Sequence, residues 1–489
     1  MRIGLTHSYA ALPERFFASV PPTPVRDPRL VVFNRPLAAE LGMDVEAVER
    51  DAAALFSGNT LPDDAHPIAM AYAGHQFGGF VPRLGDGRAI LLGELAGPDG
   101  VLRDLQLKGA GRTPFSRGGD GRAALGPMLR EYLISEAMHA LGIPTTRSLA
   151  VVTTGELVRR DDALPGAILT RIAASHVRVG SFEYFAARSD TDGLRALLDF
   201  CIARHYPQAK EAEVPALAVL AAVADRQARL LADWMQVGFI HGVMNTDNMA
   251  LSGETIDYGP CAFMDAFDPR TVFSSIDAQG RYAFANQPTI AQWNLARLAE
   301  ALLPLIHDDT DTAVTQAVGI IEPFVTRFDA YYLDGLRAKL GLVSVEDGDH
   351  ALIRSLLGLM QSARADHTLS FRELSAAAAG AAQEAAFRAL FNDTPGIDDW
   401  LSAWRARLGR DPQEPGSRAA TMRRVNPAFI PRNHRVEAAL NAASERGDLG
   451  PFMTLLGILQ RPFDDQPQHG QFMQPPAPEE RVLQTFCGT

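Results

Sequence analysis

The spacing of apolar residues divides the chain into a strand-rich first part and a helix-rich second part. Between positions 67 and about 185, short apolar runs are bounded by Gly and Asp turns, which is typical of β-strands. These runs cover 88–95, 101–108, 147–158 and 167–172. One helix is predicted among them, at 123–141, where apolar residues recur at helical spacing and Gly142 provides a stop.

Beyond residue 190 the helical period dominates, with a strand-like interruption at 248–267. Helices are predicted at 214–237, 290–305, 353–360, 371–391 and 398–408. Proline-rich residues 1–66 predict an irregular leader with one short helix near 36–41. A Pro- and Gln-rich stretch at 461–478 predicts a loosely packed tail.

The pattern therefore predicts an α+β fold with a smaller β-rich lobe and a larger, mostly helical lobe. We expect the β-rich lobe to span 67–190 and the helical lobe to span 191–460, with 1–66 as an N-terminal extension and 461–489 as a tail. A cleft between two such lobes is a usual place for a ligand.

Composition removes several classes of protein. Apolar residues make up 47% and charged residues 21% of the 489 positions, which is typical of globular chains and argues against general disorder. The net charge of −12 argues against non-specific nucleic-acid binding. Three cysteines without a C-x-x-C pair exclude a disulfide scaffold and a thiolate zinc site: Cys201, Cys261 and Cys487. No signal-like or membrane-spanning apolar stretch is found, so we expect a cytoplasmic protein without membrane contact.

The lysine count directs attention to one position. The chain has only three lysines, and the other 43 basic residues are arginine. Lys210 and Lys339 lie in polar, helix-like surroundings, where a lysine needs no special explanation. Lys108, in contrast, ends a predicted strand and begins the segment K-G-A-G-R-T-P-F-S-R-G-G-D-G-R, which leads into the predicted helix at 123.

Glycines and basic residues ahead of a helix N-terminus make a good anion cradle, and a flexible solvated loop is the alternative. Asp120, within this segment, either caps the helix or contacts a ligand, and capping is favoured. Another glycine segment, R-L-G-D-G-R at 83–88, is either a plain hairpin turn or a polyphosphate loop. In the second case Gly85 and Gly87 let the backbone approach the phosphates while Arg88 adds charge.

The expected roles of three further residues depend on whether the predicted helix and strands pack together. Glu131 is either a solvated helix residue or the partner that holds the Lys108 ammonium, as in the kinase lysine–glutamate pair. Arg171 and Arg178 match phosphate oxygens bidentately. Each arginine alone is explained as a surface charge, but together with Lys108 they favour a triphosphate pocket.

The most specific segment is G-F-I-H-G-V-M-N-T-D-N-M-A-L-S-G-E-T-I-D-Y-G-P at 238–260. A tight loop and two short strands are predicted to present Asn248 and Asp257, whose oxygens can share one hard cation with phosphates. Kinases use H-R-D-x-x-x-x-N followed by D-F-G for this purpose. Val243 occupies the position of the kinase catalytic aspartate, so Asp247 is the nearest replacement for a base.

These residues together resemble the selenoprotein O family of kinase-fold protein adenylyltransferases. The resemblance extends from S-Y-A-A-L-P-E-R-F near the start to T-F-C-G-T at the end. It includes Y-A-G-H-Q-F-G, L-K-G-A-G-R-T-P-F-S-R-G-G-D-G-R and H-G-V-M-N-T-D-N-M. It implies a two-lobed, protein-kinase-like fold, with one αC-like helix in the smaller lobe, that binds ATP inverted relative to a kinase.

The resemblance also implies a role for each site residue. The nucleotide contacts would be Gly85, Gly87, Arg88, Lys108, Asp120, Gly121, Arg171, Arg178 and Asp257. Asn248 and Asp257 would bind Mg²⁺ or Mn²⁺, and Asp247 would accept the proton. Cys487 lies where selenoprotein members of the family carry selenocysteine.

The leading hypothesis is transfer of AMP from ATP to Ser, Thr or Tyr hydroxyls of proteins. Phosphoryl transfer with Asp247 as base, or a non-catalytic nucleotide-binding scaffold, are the alternatives. The sequence does not distinguish ATP from UTP as the nucleotide.

Overall fold

The computed structural model describes residues 1–392 and 394–486. It is an α+β fold in which a β-sheet dominates the N-terminal part and helices dominate the C-terminal part. The strands are β1 (Leu5–Thr6), β2 (Phe17–Ser19), β3 (Arg29–Phe33), β4 (Ile68–Met70), β5 (Gly74–Gln76), β6 (Gly79–Val81), β7 (Ala89–Ala96), β8 (Leu102–Lys108), β9 (Ala123–Ala124), β10 (Arg147–Arg159), β11 (Ala163–Ala173), β12 (Phe239–Ile240) and β13 (Ala262–Phe263).

The helices follow mainly after the strands. They are α1 (Arg35–Glu40), α2 (Val45–Phe56), α3 (Leu125–Ala140), α4 (Val179–Ala186), α5 (Thr191–His205), α6 (Pro215–Gln236), α7 (Gln287–Ile306), α8 (Thr310–Ile321), α9 (Phe324–Lys339), α10 (Asp349–Ala363), α11 (His367–Ala377), α12 (Ala385–Ala389), α13 (Ile397–Leu408), α14 (Pro415–Val425), α15 (Asn433–Arg446) and α16 (Gly450–Leu459). Within the described ranges, no helix combines the length and apolar character needed to cross a membrane.

The large sheet is antiparallel and covered on both faces. Its order is β2-β4-β7-β8-β11-β10-β3, with β1 added to β7 and β9 added to β11. Because strand side chains alternate between faces, Val151 and Leu169 point to the core shared with α3, while Val152 and Ile168 point to the core under α1 and α2. The sheet thus holds α3 against β10 and β11, which places that helix beside the end of β8.

Residues 1–66 are more ordered than the sequence predicts. Three strands of the large sheet come from this segment, and α2 was not anticipated. The prolines at 21, 22, 24 and 28 mark only the connection between β2 and β3. Strands of two to five residues carry too little periodicity to be recognised locally, and their partners lie far along the chain.

Two other element predictions were wrong. The helix predicted at 371–391 is two helices, α11 and α12, because the chain turns at Gly380 with a φ of +154° that favours glycine. The strands expected around Asn248 and Asp257 are absent from the described structure there. Thr246–Asn248 forms a 3₁₀ turn, and Asp257 has a left-handed φ of +64°.

The C-terminal tail is attached more firmly than predicted. The Arg372 guanidinium pairs with Asp465, and Arg432 Nη2 donates to the Met473 carbonyl at 2.8 Å. Gln466 is buried and donates to the Ile458 carbonyl at the end of α16. Cys201 and Cys261 are buried and unpaired with each other, whereas Cys487 lies outside the described residues.

Candidate active site

A cavity of about 740 Å³ opens between the large sheet and the helical part. Its walls come from the 85–88 loop, the end of β8, the 115–122 loop, α3 and the 243–260 segment. All twelve residues singled out from the sequence line it: Gly85, Gly87, Arg88, Lys108, Asp120, Gly121, Glu131, Arg171, Arg178, Asp247, Asn248 and Asp257. The volume falls in the range of small-molecule sites.

A buried ion-pair network forms the floor of this cavity. Lys108 Nζ donates to Glu131 Oε2 at 2.6 Å and to Asp257 Oδ1 at 2.8 Å. Arg171 repeats this pairing, with Nε 3.0 Å from Glu131 Oε1 and Nη2 2.9 Å from Asp257 Oδ1. The pairing arises because β8, β11 and α3 are neighbours, so that strand ends and helix meet the segment carrying Asp257.

Arg178 adds a third cation to the network. Its Nη1 lies 3.4 Å from Asp257 Oδ2 and donates to the Asp247 backbone carbonyl at 2.9 Å, and its guanidinium stacks 4.4 Å from the Tyr72 ring centroid. Three cations thus surround the Asp257 carboxylate, and the buried acids Asp86 and Asp247 offset part of the charge of the two arginines. Burial opposes ionisation of Asp257, but these cations outweigh it and hold its pKa well below the usual value.

Asp247 has a different environment. Its Oδ2 accepts a hydrogen bond from Gln76 Nε2 at 3.3 Å, while its buried Oδ1 has no hydrogen-bond partner among the described residues. Burial raises the pKa of Asp247 to about 6, with Arg178 opposing the rise. A carboxylate with a free oxygen and a pKa near neutrality is suited to accept a proton.

Asn248 and Asp257 carry the side-chain oxygens predicted to bind a divalent metal. The Asn248 amide nitrogen donates to the Val243 carbonyl at 3.0 Å, which fixes the side chain and leaves Oδ1 available. No group of three or more His, Cys, Asp or Glu side chains suited to a metal occurs in the described parts of the chain. Oxygen donors from one amide and one carboxylate suit a hard cation that also relies on phosphate oxygens, so the residues fit such a metal.

The glycine segments bring backbone close to the cavity. Gly85 has a φ of +68°, and a side chain there would overlap the Phe115 ring. The hairpin alternative for 83–88 is wrong, because β6 pairs with β5 and β7 pairs with β1, β4 and β8. The Arg88 guanidinium forms no hydrogen bond or ion pair with any other described residue and is available to a ligand.

Asp120 does not cap α3, so the favoured capping interpretation was wrong. The cap position is Ala124, without a side-chain hydrogen bond. Asp120 instead accepts from the Arg122 backbone at 2.9 Å and pairs with Arg160 at 3.0 Å on the rim of the cavity.

Several residues around the site were not found from the sequence. Arg130 Nε donates to the Gly259 carbonyl at 3.1 Å, its Nη1 to Glu437 Oε1 at 2.9 Å, and its Nη2 also reaches the Cys261 carbonyl. It therefore fixes the backbone just after Asp257. Gln76 and Tyr72 belong to Y-A-G-H-Q-F-G, a motif set aside as structural. Its histidine does pair with Glu183, but nothing local indicates that the next residue reaches Asp247.

Comparisons with known proteins cover the whole chain. A family model described as protein adenylyltransferase SelO matches residues 1–460. The chain is similar to protein nucleotidyltransferase YdiU of Rhizobium rhizogenes, with 63% identity over 487 residues covering 100% of this chain and 97% of the relative. The proteins of the same name from Rhizobium etli and Rhizobium meliloti are 63% and 60% identical over 483 residues, each covering 99% of this chain and 97% and 99% of the relative.

Proposed function

The chain belongs to the SelO family of protein adenylyltransferases, and from this premise we propose that it transfers AMP from ATP to Ser, Thr or Tyr hydroxyls of proteins. The observation that carries the proposal is the buried group of Lys108, Arg171 and Arg178 beside Asp247 and Asp257. The hydroxyl oxygen bonds to the α-phosphorus, the bond to the β-phosphate oxygen breaks, and pyrophosphate leaves.

Lys108, Arg171 and Arg178 hold the β- and γ-phosphates. Their positive charges are matched by the oxygens that become pyrophosphate, and Arg88 supplies a further free guanidinium at the same cavity. Groups fixed before the reaction stabilise developing charge without reorganising, which is their main contribution to rate. Glu131 keeps Lys108 and Arg171 in place through contacts of 2.6 and 3.0 Å.

Asn248 and Asp257 hold a divalent cation, Mg²⁺ or Mn²⁺. When bound, such a cation neutralises phosphate charge and orients the phosphates for in-line attack. Asp257 is paired with three cations in the present structure, so phosphates that draw Lys108 and Arg178 toward themselves leave its carboxylate free for the metal.

Asp247 accepts the proton of the attacking hydroxyl. Gln76 donates to Oδ2 and fixes the carboxylate, and burial keeps the pKa of Asp247 at about 6, close to the range in which a general base works best. Val243 lines the same cavity but cannot accept a proton, so Asp247 is the proposed acceptor.

A kinase-like, two-lobed arrangement is part of this proposal. The β-rich part at 67–190 and the helical part at 191–460 form the lobes, and α3 takes the place of the αC helix. The Lys108–Glu131 ion pair between β8 and α3 supports this assignment, because kinases place a lysine and a glutamate on equivalent elements. ATP is bound in the inverted orientation, with the γ-phosphate toward the Lys108 side.

Labelled nucleotides test the proposed reaction. The purified protein is incubated with a protein acceptor, Mg²⁺ or Mn²⁺, and ATP labelled on either the α- or the γ-phosphate. Label transferred from the α-phosphate alone, with a mass gain equal to AMP, is the expected result. Transfer from γ alone supports a kinase, and transfer from neither supports a nucleotide-binding scaffold. Parallel reactions with α-labelled UTP decide which nucleotide is used.

A further inference from the structure

Three aromatic side chains on the described surface exceed one third exposure, and two of them lie on the β5–β6 hairpin. They are Phe77 at 37%, Phe80 at 41% and Phe486 at 67%. Phe77 and Phe486 line the mouth of the cavity that contains Asp247, as does Ile276, which is 57% exposed. An apolar surface gathered at the entrance of a site marks an interaction surface.

The β5–β6 hairpin that carries Phe77 and Phe80 is fixed to the segment around Asp247. The His75 backbone N–H donates to Thr246 Oγ1 at 2.7 Å, and the Phe77 backbone N–H donates to Asn245 Oδ1 at 3.0 Å. Gln76, between them, donates to Asp247 Oδ2. The exposed aromatic side chains are therefore held at a defined position relative to the proposed proton acceptor.

Arg281 gives the same surface an unbalanced charge. Its guanidinium lies next to Gly78 at the hairpin turn and 5.0 Å from the Trp293 ring centroid. The Trp293 and His75 ring centroids are in turn 5.2 Å apart. Arg281 forms no salt bridge with any acid in the described ranges, although the chain as a whole has a net charge of −12. The neighbouring Arg297, by comparison, is neutralised by Glu300 at 2.6 Å.

We propose that the hairpin at 74–81, with Ile276, Arg281 and Phe486, is the docking surface for the hydroxyl-bearing segment of the protein substrate. The inference rests on the proposed function and specifies its acceptor. Next to the modified hydroxyl, the segment carries an aromatic or aliphatic side chain. That side chain packs on Phe77 and Phe80. It also carries a carboxylate that pairs with Arg281. The surface adjoins Asp247 through Gln76, so a segment bound there brings its hydroxyl toward the Asp247 carboxylate.

Binding of labelled peptides tests the surface without requiring catalysis. The probes are three fluorescent peptides with one central threonine: one flanked by phenylalanines and glutamates, one with the glutamates replaced by lysines, and one with the phenylalanines replaced by serines. Fluorescence anisotropy with the full chain is expected to show binding of the first peptide about tenfold tighter than of the other two. Equal affinity for all three, or no binding of the first, would overturn the proposal.

Matched variants locate the binding. Arg281→Glu and Phe80→Ser are each expected to weaken binding of the first peptide about tenfold, whereas Arg281→Lys retains most of it. Arg195→Glu and Val345→Ser, at an exposed arginine and an exposed apolar residue away from the cavity, serve as controls and are expected to leave peptide binding unchanged. Unchanged binding in both Arg281→Glu and Phe80→Ser would exclude this surface.

The two proposals fail in distinguishable ways. If the reaction proposal fails, no label from the α-phosphate enters any acceptor, yet peptide binding still depends on charge and on Phe80. If the docking proposal fails, α-label is transferred normally, and the transfer rate in Arg281→Glu matches that of the wild type. Both variants keep Lys108, Asp247 and Asp257, so nucleotide binding is expected to stay at the wild-type level in each.

Discussion

Lys108 and Asp257 are 149 positions apart in the chain, yet the lysine Nζ lies 2.8 Å from the aspartate Oδ1. The contact joins the end of a sheet strand to the segment that follows the 3₁₀ turn at 246–248. It brings the residues proposed to hold phosphate and those proposed to hold metal into one network.

Removing the Lys108 ammonium is expected to slow transfer strongly while the protein stays folded. In Lys108→Ala, Arg171 still pairs with both Glu131 and Asp257, so neither buried carboxylate loses its last partner. We expect a fall in the transfer rate of about 10²–10³-fold, typical of losing one electrostatic contact in a reacting site. The α-label assay measures the rate, and circular dichroism checks the fold. Lys210→Ala, at an exposed lysine, should match the wild type; full turnover in Lys108→Ala would contradict the phosphate-holding role.

Metal-dependent nucleotide binding is expected to require the Asp257 carboxylate. Asp257→Asn is the informative change, because asparagine tolerates the left-handed φ of +64° at this position. Calorimetric titration should show that Mg²⁺ strengthens ATP binding to the wild type but not to the variant. Asp268→Asn, a half-buried acid outside the cavity, is the control. If the ATP affinity of the Asp257→Asn variant still rises with Mg²⁺, Asp257 is not a ligand of the metal.

Asp247→Asn is expected to slow transfer while leaving nucleotide affinity unchanged. The amide cannot accept the hydroxyl proton, and loss of a general base costs about 10²–10⁴-fold in rate. The control is Asp233→Asn on α6, another carboxyl whose pKa burial raises to about 6 but which lies outside the cavity. Single-turnover rates and ATP affinities are measured for both. Equal rates in the two variants would show that Asp247 is not the proton acceptor.

Lys339 gives a prediction about stability. The sequence placed it in polar surroundings, but the structure buries it on α9 with its Nζ 4.6 Å from the Phe371 ring centroid. Burial lowers the pKa of Lys339 to about 7 in the folded protein, against 10.5 for an ordinary lysine. Between these two values the unfolded chain binds a proton that the folded chain does not, so this residue makes stability rise with pH.

Lys339→Met should therefore stabilise the protein most at or below pH 7, by about a few kcal/mol, and progressively less as the pH approaches 10.5. Urea unfolding of wild type and variant at pH 7 and pH 10 measures the difference. Lys210→Met should show no such dependence on pH. A stability difference between Lys339→Met and wild type that is the same at both pH values would mean that the buried lysine keeps its proton.

Local patterns predicted the central strands of the sheet and some of the long helices, whereas α5, α8, α9, α14, α15 and α16 were not predicted individually. The apolar runs at 88–95 and 101–108 became β7 and β8, and the helical spacing at 123–141 became α3, since these periods reflect which face each segment buries. The same patterns failed where the chain turns on one residue, as at Gly380. They also failed for the short strands before residue 66, whose partners are remote in sequence.

The sequence by itself determined the residue types of the candidate site, because lysine, arginine, glycine and acid placements reveal phosphate and metal chemistry wherever they occur. Only the tertiary structure decided which of them meet. Glu131 is a partner of Lys108 because α3 packs on the sheet, and Gln76 reaches Asp247 across 171 positions. Burial of Lys339 and ionisation of Asp257 likewise depend on residues that the fold brings in from distant segments. The local sequence pattern does not specify which distant residues come into contact.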